Sequence, residues 1–104
     1  MNDLSVYESR TLGGKHCWYC GEWLFHGIAT ADHFWPKSRK GRLKVRCCKN
    51  CNGMKGGMLP LYFIGFIQRV KEETPYKQNL HPKFDRMITA TQTLWDRVKW
   101  SIKT

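Results

Sequence analysis

Two Cys-x-x-Cys pairs constrain this chain more than anything else in it. Cys17-Trp18-Tyr19-Cys20 and Cys48-Lys49-Asn50-Cys51 stand with 27 residues between Cys20 and Cys48. Each pair places two thiolates on one face of a tight turn, and two such turns brought together make the tetrahedral sulfur cage that Zn2+ accepts. Four protein ligands leave no open coordination position, so a zinc held there is structural. Its binding energy substitutes for a larger core in a chain of 104 residues,. Gly21 suits the turn that closes the first knuckle. Of the remaining candidates, Cys47 lacks the two-residue spacing to Cys51 and reads as a small buried residue, and His16 ranks below the cysteines as a ligand. A redox pair is a poor alternative, because two copies occur in a basic chain with no thioredoxin-like order of strand and helix.

Charge narrows the partner. Lys and Arg number 18 against 8 Asp and Glu, a formal charge of +10. Between His33 and Lys71 no acidic residue occurs, while Lys37, Arg39, Lys40, Arg42, Lys44, Arg46, Lys49, Lys55, Arg69 and Lys71 all fall there. A one-signed stretch of this kind tracks a phosphate backbone, so nucleic acid is the expected partner. No apolar run reaches the roughly 20 residues that span a bilayer. The first ten residues carry Asp3 and Glu8 without an apolar centre, unlike a secretory signal,. A cytoplasmic protein without a membrane partner is expected, with cysteines reduced and available to metal.

The pattern along the chain predicts an α+β protein of one domain. Residues 1–14 are polar and end in Gly13-Gly14, a loose opening segment. Residues 15–74 form the core. Within it Leu24–Ala31 and Leu43–Cys47 suit strands, Pro36–Gly41 the loop between them, and Asn50–Lys55 a short helix closed by Gly56-Gly57. Pro60 then opens a helix on which Leu61, Phe63, Ile64, Ile67 and Val70 recur at helical spacing until Thr74-Pro75. Residues 75–104 are a helical extension of the same domain. Its helix starts near Pro82 and turns Met87, Ile88, Thr91, Leu94, Trp95, Val98 and Ile102 inward. Both apolar stripes read as core.

Between the knuckles lies Ala31-Asp32-His33-Phe34-Trp35-Pro36-Lys37-Ser38-Arg39-Lys40-Gly41, and Asn52-Gly53-Met54-Lys55-Gly56 follows the second. A carboxylate beside a histidine in a basic stretch suits metal-assisted phosphodiester hydrolysis. The carboxylate binds a hard cation, the imidazole takes a proton from water, and the cations hold the polyanion. Asp32 as an ordinary surface ion pair, His33 as a packing histidine and Asn52 as a helix cap are the plainer readings of the same residues. Phe34 and Trp35 either stack on bases or pack at the strand end, and His26 and His81 have no partner in sequence.

The order of these parts, Cys-x-x-Cys, then Asp-His with Pro three residues later, then Cys-x-x-Cys-Asn-x-x-Lys-Gly, resembles the zinc-knuckle HNH endonucleases of phage and bacteria over residues 16 to 67. The resemblance implies a small ββα-metal finger stapled by the four cysteines, with the C-terminal helices added. It further implies Asp32 and Asn52 as ligands of a catalytic divalent ion, Mg2+ or Mn2+, and His33 as the general base. Lys37, Arg39, Lys40, Arg42, Lys44, Arg46 and Lys55 then lie along DNA, in a bacterial or phage-infected cytoplasm. One position departs from the family. Its middle Asn, which pins the loop carrying the catalytic His, falls on Leu43, and Ser38 or a backbone carbonyl is the expected substitute. That departure supports a second reading, a zinc-stabilised nucleic-acid-binding protein without catalysis. A third reading is an adaptor that docks its aromatic helices on a larger DNA-processing complex. A monomer has one site, so cutting both strands needs a homodimer or two visits.

Overall fold

The computed structural model describes residues 4–25, 27–75 and 80–102 of the chain. Three strands make one sheet, β1 (Thr11–Leu12), β2 (Ala29–His33) and β3 (Lys44–Cys48), in the order β1-β3-β2. β2 and β3 are antiparallel, with Asp32 opposite Val45 and His33 opposite Lys44. β3 runs directly into α1 (Lys49–Lys55), which is followed by α2 (Pro60–Glu73) and α3 (Leu80–Val98). The fold is therefore α+β, as the sequence predicts. No helix among the described residues is long and apolar enough to cross a membrane.

The first predicted strand begins later than its apolar residues suggest. Leu24 is held by the first knuckle, its N–H donating to the Lys15 carbonyl at 2.8 Å, and Gly27 sits at φ +89°. A residue in that left-handed region breaks an extended run, so β2 starts only at Ala29. The loop after β2 is tightly made. A short 3-10 turn, Lys37–Arg39, ends at Lys40 with φ +67°, and the Gly41 N–H donates to the Pro36 carbonyl at 3.0 Å. A side chain at Gly41 would collide with the Trp35 carbonyl oxygen, so only glycine lets the chain pass there.

From Leu4 onward the opening segment is not loose. Leu4 and Val6 are buried, Thr11–Leu12 pairs parallel to β3, and the Val6 N–H donates to Ser101 Oγ at 3.1 Å. These few residues tie the start of the sheet to the end of α3. On α3, Met87, Thr91, Leu94 and Val98 are buried, with Ile88 and Trp95 partly so, as is Ile102 beyond the helix. On α2, Phe63, Ile64 and Ile67 point inward, but Leu61 is exposed. α2 ends at Thr74, whose extended backbone is what a following proline requires,.

Candidate metal centre and active site

The two knuckles fold alike. The Cys20 N–H donates to Cys17 Sγ and the Cys51 N–H to Cys48 Sγ, each at 3.4 Å. In the first knuckle the turn closes through the Gly21 N–H to the Cys17 carbonyl at 2.9 Å, with Gly21 at φ +80°. In the second, Cys48 caps α1. The four sulfurs lie within 4.8 Å of one another and all four residues are buried. Cys20 Sγ and Cys48 Sγ are 3.9 Å apart, against a tetrahedral edge of about 3.8 Å for zinc–thiolate bonds of about 2.3 Å. The cage fits a structural metal such as zinc.

The thiols of this cage are unequal. The hydrogen bond between Cys17 and Cys51 lowers the pKa of the first thiol and raises that of the second, while burial raises that of Cys20 to about 11. A metal held there would displace protons from the raised thiols. Cys47 stands outside the cage as expected, fully buried, its Sγ 3.5 Å from Thr30 Oγ1. His16 is exposed, with Nδ1 3.1 Å from the Gly21 carbonyl and its ring edge-on to Trp23, away from the sulfurs.

Asp32, His33 and Asn52 line one pocket of about 370 Å³, shared with Lys37, Ser38 and the Gly56–Gly57 turn. The antiparallel pairing carries Asp32 and Thr30 on the sheet face toward α1. Asp32 is only 4% exposed, and its Oδ2 accepts from Tyr19 OH at 2.7 Å and from Lys55 Nζ at 3.1 Å. Asn52 lies in the middle of α1 rather than at its start, so it is no helix cap. Its Nδ2 donates to Thr30 Oγ1 at 3.0 Å, and that hydroxyl spends its proton on the Cys47 carbonyl at 2.9 Å. The relay fixes the amide of a residue that lines the pocket. A carboxylate oxygen and an amide oxygen are the hard donors that Mg2+ or Mn2+ prefers.

His33 is half-buried at the end of β2. Burial, then Lys44 and Lys37, hold its imidazole below the ordinary 6.5, with Asp32 opposing. Burial also pushes the Asp32 carboxyl up and the Lys55 ammonium down, while their mutual attraction opposes both shifts. Lys37, Arg39, Lys40, Arg42 and Arg46 are exposed and Lys44 is half-buried. Lys44 and Arg46 share the His33 face of the sheet, because His33 pairs with Lys44 and Ala31 with Arg46.

Lys55 departs from the sequence reading. It is fully buried, so it cannot lie along a phosphate backbone. Its Nζ pairs with Asp32 and donates to the His33 carbonyl at 3.0 Å. Helical spacing offered one signal for this placement, since positions 52 and 55 share a face of α1. Nothing in the spacing of the first knuckle announces Tyr19 as a partner of Asp32. Leu43 is also fully buried, and its carbonyl accepts from the Phe34 N–H at 3.0 Å. Phe34 is buried and Trp35 nearly so, stacked on Trp95 at 5.8 Å, so neither offers a free face to a base. His81 holds the Thr74 carbonyl at 3.1 Å, and His26 lies outside the described residues. No family model, curated protein or solved structure matches the chain.

Proposed function

We propose that this chain is a divalent-metal-dependent DNA endonuclease of the HNH type, on a ββα-metal finger held by one structural zinc. One observation carries the reading: Asp32, His33 and Asn52, from two elements, line a single pocket bordered by exposed cations. The antiparallel pair β2–β3 followed by α1, with a sulfur cage at its base, supports the fold half of the proposal. A divalent ion held by Asp32 and Asn52 would neutralise charge at the scissile phosphate and the leaving oxygen. His33 takes the proton of the attacking water, and its lowered affinity for protons keeps it neutral and able to do so at physiological pH,. Lys37 at the pocket and the exposed cations of the following loop hold the polyanion in place.

One observation favours a binding module without catalysis: Asp32 already spends Oδ2 on Tyr19 and Lys55. Cleavage of supercoiled, nicked, branched and single-stranded DNA with Mg2+ or Mn2+, wild type against His33→Ala, separates the two. The enzyme cuts, and His33→Ala loses most cleavage while keeping zinc and DNA binding. Zinc-loaded wild-type protein that binds DNA and cuts no substrate with any common divalent ion would overturn the nuclease reading.

A further inference from the structure

The peptide unit between His33 and Phe34 is held from both sides. Its N–H donates to the Leu43 carbonyl at 3.0 Å, and its C=O accepts from Lys55 Nζ at 3.0 Å. A peptide N–H and C=O point in opposite directions, so the loop carrying His33 is clamped between Leu43, just before β3, on one side and α1 on the other. The same ammonium lies 3.1 Å from Asp32 Oδ2, which Tyr19 OH also engages at 2.7 Å. Lys55 therefore touches the side chain of residue 32 and the backbone of residue 33 with one group, and Tyr19 ties Asp32 to the first knuckle. The ammonium is wholly out of solvent. A lysine buried at this desolvation cost without meeting a ligand needs another role, and two acceptors within 3.1 Å supply it,.

We infer that Lys55 is a positioning residue, which fixes the Asp32 carboxylate and the His33 loop relative to each other and makes no contact with nucleic acid. The inference rests on the nuclease reading for its effect on rate, but not for its effect on structure. Lys55 and Tyr19 both engage Oδ2 of Asp32, a residue that lines the pocket.

The test compares wild type, Lys55→Met and Tyr19→Phe in zinc content, salt dependence of DNA binding, cleavage rate at saturating DNA, and amide hydrogen exchange. Lys55→Met is expected to keep its zinc and the wild-type salt slope while losing about 100-fold in rate at saturation, the scale of a misplaced reacting group. Exchange at the Phe34 N–H should quicken on the order of tenfold, with the amides of α3 unmoved. Tyr19→Phe removes one of two donors to Oδ2 and should fall between. A salt slope shallower by about 0.9, the mark of one phosphate no longer neutralised, together with unchanged exchange at Phe34, would overturn the inference. Should Lys55→Met alone fail to fold, Asp32→Asn combined with Lys55→Met removes the orphaned carboxylate. Faster exchange at Phe34 than in Asp32→Asn alone supports the clamp, and equal exchange refutes it. A wild-type protein that cuts nothing refutes the nuclease reading and leaves the exchange comparison standing.

Discussion

Replacing Leu43 by Asn, the residue that the resemblance to the HNH nucleases leads one to expect at this position, should destabilise the fold. Leu43 is fully buried among the core residues, and its backbone N–H and carbonyl are both engaged, with Val6 and Phe34. Burying a leucine side chain contributes about 1.5–3 kcal/mol, which Leu43→Asn forfeits. An amide left there without partners costs a further 1–3 kcal/mol or so. The sum, roughly 2.5–6 kcal/mol, is a large share of the roughly 5–15 kcal/mol that holds a domain together. Thermal unfolding of the zinc-loaded protein should show it as a midpoint lowered by on the order of 15 °C or more. Leu43→Met, which nearly conserves volume, should cost less than about 1.5 kcal/mol and serves as the control. Leu43→Asn that melts together with wild type would show that the amide finds partners at this position and would refute the reasoning.

Purified protein should carry about one zinc per chain, and Cys20→Ser or Cys48→Ser should leave it unfolded or aggregated; a folded sample that elemental analysis finds free of metal would refute the cage. Converting Arg39, Lys40 and Arg42 together to Gln should flatten the dependence of DNA affinity on salt, by about 0.9 in slope for each phosphate these side chains neutralise. In titration calorimetry with Mn2+, Asp32→Ala should lose more affinity than Asn52→Ala, because a neutral amide gives the ion less than a carboxylate; equal losses count against this assignment. Cleavage should be lost as pH falls through a value below 6.5 and should have levelled off by neutral pH, since the His33 imidazole must be neutral to accept a proton and its surroundings disfavour the charged form,. A rate still climbing tenfold per unit above pH 7 would assign the base elsewhere.

What the sequence discloses here follows from how local each constraint is. The cage is legible because a Cys-x-x-Cys turn carries its geometry with it, and Asn52 is legible because it follows Cys51 directly on the same helix. The inner face of α3 is legible because burial imposes a 3.6-residue period, and Met87, Thr91, Leu94 and Val98 keep it,. Leu4 and Val6 escape notice because nothing nearby announces them: the hydroxyl that holds Val6 is Ser101, 95 positions away. Lys55 and Leu43 are misjudged for a related reason. Residue type assigns a lysine to the surface and a leucine to no chemistry, yet both hold the His33–Phe34 peptide, one through a buried ammonium and the other through a backbone carbonyl that any residue could offer. Side-chain pattern is blind to the second of these bonds altogether. Both bonds meet on one peptide, so positions 43 and 55 act together on the loop that carries His33.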